Sequence, residues 1–135
     1  VTLQPTCPMR TPALVERALS LFLAHRPDTV VSVSPISVKS GTLTNGVYRP
    51  GYAPGMRSQD LDPAVVENGL VYVTDVPTLL ATGDMFTPRL RGLLCDPIAA
   101  LGDIDTEADL LRVERLLPLA AMQPPILDPG MEACR

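Results

Sequence analysis

Asp103 and Asp105 flank Ile104 in the stretch Gly102-Asp103-Ile104-Asp105-Thr106, just ahead of an apolar-periodic segment. In extended backbone, alternate residues point to the same side. The spacing therefore aims both carboxylates one way and Ile104 toward a core. Two hard anionic oxygens on a short loop suit Mg²⁺ (or Mn²⁺), with phosphate oxygens and waters completing the coordination. A plainer use competes with this one: Asp105 or Thr106 caps the next helix and Asp103 is a solvated loop acid. On pattern alone capping is the commoner reason for such residues at a helix start.

A second group lies in Leu3-Gln4-Pro5-Thr6-Cys7-Pro8-Met9-Arg10. It follows what reads as a strand, and ligands of open α/β sheets bind beyond the carboxyl ends of strands. Gln4 and Thr6 offer neutral donors and acceptors there, and Arg10 either holds an anion or pairs on the surface. A third group combines Arg57-Ser58-Gln59-Asp60 with Glu67-Asn68-Gly69-Leu70-Val71-Tyr72. Arg57, Gln59, Asn68 and Tyr72 form a polar set flanking a strand. The alternative is a turn at Asn68-Gly69 and a half-buried Tyr72 whose hydroxyl reaches water. Lys39, the only lysine, can swing onto a phosphate or carboxylate or simply be solvated.

Other chemistries find little support. His25, the only histidine, sits at a helix end where the dipole favours it, which argues against Ser-His-Asp or Cys-His catalysis. Cys7, Cys95 and Cys134 are an odd number without metal-like spacing, and a reducing cytoplasmic compartment accounts for them. No Gly-rich phosphate loop of the common types is present. The net charge is −4 and no Lys/Arg-rich run exists, so nothing favours nucleic acid. No apolar run is long enough for a membrane span, and the first residues are not a signal peptide.

These groups need elements to hold them. Val1 to Gln4 reads as the tail of a buried strand, cut open, which hints at a fragment with a raw sheet edge. Thr11 and Pro12 start an amphipathic helix to His25, with Leu14, Ala18, Leu21 and Phe22 inward. Thr29–Val33, Leu70–Thr74 and Arg89–Cys95 read as strands. Asp75 caps a short helix, Pro77–Ala81, that Gly83 ends. A last helix runs from Thr106 to about Leu117. Thr106 and Asp109 form its capping box, Leu110, Val113, Leu117, Leu111 and Leu116 its apolar face, and Pro118 its stop. Residues 35–63 are rich in Gly and Pro, with turn signals at Thr44-Asn45-Gly46 and Arg49-Pro50-Gly51, and read as a projecting hairpin or lid. Residues 118–135 form a Pro-rich tail, expected to be loose from Met122 onward. The order of elements predicts an α/β layer fold with an open, mostly parallel sheet.

The order of the motifs resembles the acylneuraminate cytidylyltransferase family. Gln4-Pro5-Thr6-Cys7-Pro8-Met9-Arg10 is similar to its QPTSPLR segment, with Cys7 for Ser and Met9 for Leu. Arg57-Ser58-Gln59-Asp60-Leu61 resembles its RRQDL segment, and Glu67 to Val73 its ENGAIYI strand. Asp103 to Asp109 resembles its IDIDTELD metal motif, and the likeness spans residues 1–117. Sister enzymes for 3-deoxy-manno-octulosonate share the later Asp pattern and lack QPTSPLR.

The resemblance implies a three-layer nucleotide-diphospho-sugar transferase-like fold and transfer of CMP from CTP to a nine-carbon sugar acid. It implies Asp103 and Asp105 as Mg²⁺ ligands, and Gln4, Thr6, Arg57, Gln59 and Tyr72 around the sugar acid. Lys39 would face sugar or phosphate, and residues 35–63 would include a homodimerisation arm. Three departures stand out. The family's Gly/Arg/Lys-rich triphosphate loop, in its N-terminal half, is absent from these residues. Ser58 replaces an Arg and Cys7 a Ser. The expectation is a chain inactive alone. A non-catalytic α/β binding or assembly module that kept the scaffold is the alternative.

Overall fold

The computed structural model describes residues 1–62 and 64–121. The elements, in chain order, are α1 (Pro12–His25), β1 (Thr29–Ile36), β2 (Gly41–Thr44), β3 (Val47–Pro50), β4 (Ala64–Thr74), α2 (Val76–Thr82), β5 (Leu90–Leu94) and α3 (Glu107–Ala121). One-turn 3-10 helices span Ser58–Asp60 and Pro97–Leu101.

Local chemistry sets the helix starts as expected. The Thr11 side chain accepts from the Leu14 amide, and Pro12 occupies the first turn of α1. Asp75 accepts from Thr78 N and from Thr78 Oγ1 at 2.9 and 2.8 Å, and Gly83 closes α2 in the left-handed region. Thr106 and Asp109 exchange bonds at the start of α3: Thr106 N donates to Asp109 Oδ2 at 2.9 Å and Asp109 N to Thr106 Oγ1 at 3.2 Å. Pro118 does not stop α3, which continues to Ala121. Proline in a last turn forfeits one backbone bond and is tolerated there better than in mid-helix. The tail from Met122 onward, with Cys134, lies outside the described residues.

The sheet is α/β as expected but mixed rather than mostly parallel. Its order is β4-β1-β5; β1 pairs antiparallel with β4 and parallel with β5. Central β1 is buried from Thr29 to Val31 and at Ser32 and Ser34. Val1–Gln4 is not a buried strand. Val1 and Leu3 are exposed, and only Thr2 pairs, exchanging two backbone bonds with Tyr72 on the outer edge of β4.

The core joins Leu14, Ala18 and Leu21 of α1 to Val30, Leu70, Val71, Val73 and Leu93 of the sheet, with Cys7, Cys95, Ala99 and Val113. The apolar face expected for α3 is narrower than its leucines suggested. Val113 is buried and Leu116 packs against the core, whereas Leu110, Leu111 and Leu117 are exposed.

Residues 35–63 are a projection in part only. β1 and β4 stay paired as far as Ile36 and Ala64. Beyond them β2 and β3 form a hairpin exposed throughout, turned by Asn45 and Gly46 at φ 51° and 77°. Both turn residues in the left-handed region match the right-handed twist of the strands.

Candidate functional site

Asn68-Gly69, for which a turn was the alternative reading, is a bulge inside β4. Val31 pairs with Tyr72 but Val33 with Glu67, so β4 carries extra residues against β1. Side chains of β1 absorb the interruption. Val71 N donates to Ser32 Oγ at 2.9 Å, Asn68 Nδ2 donates to Ser34 Oγ at 2.9 Å, and Leu70 N donates to Asn68 Oδ1 at 3.2 Å. Asn68 is thereby buried with its amide satisfied. Gly69 sits at φ 68°, and a Cβ there would run into Gln4 Oε1 and lie 2.7 Å from Cys7 Sγ. Glycine is required twice, by backbone conformation and by the approach of the first loop.

That approach brings two distant motifs together. The fully buried Cys7 thiol lies 3.4 Å from Asp103 Oδ1, 3.5 Å from Asn68 O and 3.6 Å from Gln4 Oε1, and can donate to each. Ile104 N donates to Thr6 O at 3.0 Å, a backbone link alongside the side-chain one. Burial and the hydrogen bond to Asp103 push the Cys7 thiol pKa up, so it is held as a neutral donor. Arg10 has backbone partners in the structure. Its guanidinium donates to Gln4 O at 2.7 Å and Leu70 O at 3.1 Å, stapling the loop to β4. Arg112 secures the other side, donating to Leu101 O and Asp103 O.

Tyr72 adds a phenol to this end. Its hydroxyl donates to Glu67 Oε2 at 3.3 Å. Burial, then the charge of Glu67 and its hydrogen bond, push the Tyr72 pKa up, with smaller contributions from Cys7 and Asp103. Gln4, Thr6, Cys7, Asp103, Glu67 and Tyr72 therefore share one neighbourhood. It lies at the carboxyl end of the parallel pair β1 and β5, where Leu94 pairs with Val33 and Cys95 N donates to Val33 O.

The two acids differ in their ties. Asp103 Oδ1 accepts from Cys7 and from Ile104 N. The Asp105 carboxylate makes no hydrogen bond among the described residues, and Thr106 with Asp109 does the capping. Asp105 is thus not the cap of α3. No group of three or more His, Cys, Asp or Glu close enough to hold a metal exists among the described residues. A cation here would have at most two protein carboxylates and would need phosphate oxygens or waters for the rest. That donor set fits Mg²⁺, which keeps waters and takes one or two carboxylates plus substrate phosphates.

Lys39, Arg57 and Gln59 lie on the projection. The Lys39 ammonium stands 5.1 Å from the centre of the Tyr52 ring. Arg57 makes a two-pronged pair with Asp60 at 2.8 and 2.9 Å, and both are well exposed. Gln59 is exposed within its 3-10 turn. No hydrogen bond or ion pair joins these three to the Asp103 neighbourhood among the described residues. A cavity of about 410 Å³ opens at the base of the projection, lined by Ile36, Val38, Tyr52, Met56 and Leu61 among others. Glu67 was visible in the sequence only as part of a motif. Its bond to Tyr72 depends on the bulge between them, for which Asn68-Gly69 was the one local sign.

The class the fold defines is a small α/β domain with a mixed sheet, with carboxylates, a thiol and a phenol gathered where β4 meets the Gln4–Arg10 loop. Sequence comparison takes this further, for the chain is a homologue of the acylneuraminate cytidylyltransferases. It is 31% identical to an N-acylneuraminate cytidylyltransferase of Streptococcus agalactiae serotype III (strain NEM316) over 120 residues, 84% of this chain and 29% of that protein. It is 28% identical to a CMP-N,N'-diacetyllegionaminic acid synthase of Legionella pneumophila over 123 residues, 87% of this chain and 53% of that protein. The chain thus spans between about a third and a half of the length of these relatives. No family model matches it. Among the described residues, no helix is long and apolar enough to cross a membrane.

Proposed function

We propose that this chain forms the sugar-acid and metal side of a cytidylyltransferase site that transfers CMP from CTP to a nine-carbon sugar acid. The observation that carries the reading is the junction of the Gln4–Arg10 loop with Asp103. The two are 96 residues apart yet tied through Cys7 Sγ to Asp103 Oδ1 and Thr6 O to Ile104 N. The relatives named above are a cytidylyltransferase and a CMP-sugar synthase by name, which supports the same chemistry here.

In this reading the anomeric hydroxyl of the sugar attacks the α-phosphate of CTP and pyrophosphate leaves. Mg²⁺ (or Mn²⁺), when bound, would neutralise charge developing on the phosphate oxygens. Asp103 and Asp105 would hold it. Gln4, Thr6 and Tyr72 would orient the sugar acid. The Arg57–Asp60 pair is exposed and therefore weak, so Arg57 can turn to an anionic ligand, with Gln59 beside it. Lys39 would serve a phosphate or the sugar from the projection. Leu43, Val47 and Tyr48 are exposed on the hairpin, which supports homodimerisation through residues 35–63. The three-layer architecture and a cytoplasmic setting complete the proposal.

The Gly/Arg/Lys-rich triphosphate loop is not among these residues, and we assign nucleotide binding to residues outside them. The test is to incubate the 135-residue chain with CTP, N-acetylneuraminate and Mg²⁺, in parallel with a version carrying the loop. CMP-sugar and pyrophosphate should form only in the second. Turnover by the 135-residue chain alone would overturn the division of labour. No turnover by either, with both folded, would overturn the activity.

A further inference from the structure

The Tyr72 hydroxyl is committed. Its proton goes to Glu67 Oε2 at 3.3 Å. A phenol whose proton is engaged faces any further partner with its lone pairs, as an acceptor. Its surroundings reinforce that role. Burial, and after it the charge of the Glu67 carboxylate, hold the phenol protonated. The ring is buried, so the hydroxyl cannot turn freely toward bulk water. An anionic group brought up to Tyr72 would meet the Glu67 carboxylate and an oxygen lacking a free proton. A neutral hydroxyl or amide N–H would instead meet an acceptor.

We propose that Glu67 is a specificity-determining residue that fixes the Tyr72 hydroxyl as an acceptor, so that Tyr72 takes a hydrogen-bond donor of the sugar and excludes its carboxylate. The inference rests on the sugar-acid site proposed above. It also sets the sense in which the sugar lies, with its carboxylate away from β4 and a hydroxyl or amide N–H toward Tyr72. A group that only accepts, such as a methyl ether, would leave two acceptors facing each other, which binding sites reject strongly because neither finds a partner.

The test uses the 135-residue chain and ligand-observed NMR, which reads weak binding directly. The probes are N-acetylneuraminate and a panel of its mono-O-methyl ethers, with Glu67→Gln and Tyr72→Phe as variants. In the wild-type chain one ether should bind at least tenfold more weakly than the parent. Glu67→Gln can donate its amide N–H to the phenol and free the tyrosine proton, so it should bind that same ether within about threefold of the parent. Tyr72→Phe should lose the discrimination as well. Equal binding of every ether by the wild-type chain would overturn the inference while leaving the sugar site intact. So would discrimination unchanged in Glu67→Gln. Absence of any N-acetylneuraminate binding by the folded wild-type chain would overturn the site itself.

Discussion

Gly69→Ala offers a quantitative probe of the loop–bulge junction. Gly69 adopts φ 68°, a region that costs a non-glycine residue about 1–2 kcal/mol. The added methyl also meets two side chains. Gln4 is exposed and its amide end moves aside at little cost. Cys7 is fully buried and stands 2.7 Å from the new carbon, so relief requires the Pro5–Pro8 turn to shift. Overpacking of this kind costs about 1–3 kcal/mol. Against both works a gain of about 0.4–1 kcal/mol from the stiffer unfolded chain. The net destabilisation is about 1–5 kcal/mol, with a fall in Tm on the order of 10 °C. Gly83→Ala is the internal control, because Gly83 has φ 71° with nothing near its missing Cβ. It carries the backbone cost alone, about 1 kcal/mol. Urea unfolding with unchanged m values measures both. Equal losses for the two variants would refute the close packing of Gln4 and Cys7 on the bulge, and with it the geometry that carries Cys7 to Asp103.

Asn68→Ala should cost about 2–4 kcal/mol in urea unfolding, because it strands the Leu70 amide and removes a partner from Ser34 inside the core. In the loop-bearing enzyme, Asp103→Asn and Asp105→Asn should leave Tm nearly unchanged. Asn can still accept at Asp103 Oδ1, and the Asp105 carboxylate makes no hydrogen bond among the described residues. Turnover should nevertheless fall at least a hundredfold across a Mg²⁺ titration; wild-type turnover would make both ordinary loop acids. Asp75 and Asp109 have pKa values held below the usual carboxylate range, Asp75 by bonds from the Thr78 amide and then its hydroxyl, Asp109 first by its bond to Thr106. Their stabilisation is present above about pH 4, the unfolded value, and is lost as pH falls through the lower folded values. The Asp75→Asn, Asp109→Asn double variant should therefore lose less Tm than wild type between about pH 4 and 2, and parallel losses would contradict the capping geometry.

What the sequence determined by itself was whatever depends on a few neighbouring residues. Thr11-Pro12, Asp75 with Gly83, Thr106 with Asp109 and Asn45-Gly46 each specify a start, a stop or a turn through bonds closed within four residues. They came out where the pattern put them. The motif order also carried the family likeness, since it survives without coordinates. Only the tertiary structure decided the rest. β4 runs antiparallel to β1, and nothing within either strand encodes its neighbour's direction. Five leucine and valine positions on α3 looked alike in sequence, yet the core accepted Val113 and Leu116 and left Leu110, Leu111 and Leu117 in water. The Asn68-Gly69 pair has the chemistry of a turn, but partners in β1, Ser32 and Ser34, made it a bulge. That bulge opened the space in which Cys7 reaches Asp103 and Glu67 reaches Tyr72. Contacts across 96 residues depend on the packing of every element between them, and short-range pattern cannot contain that information.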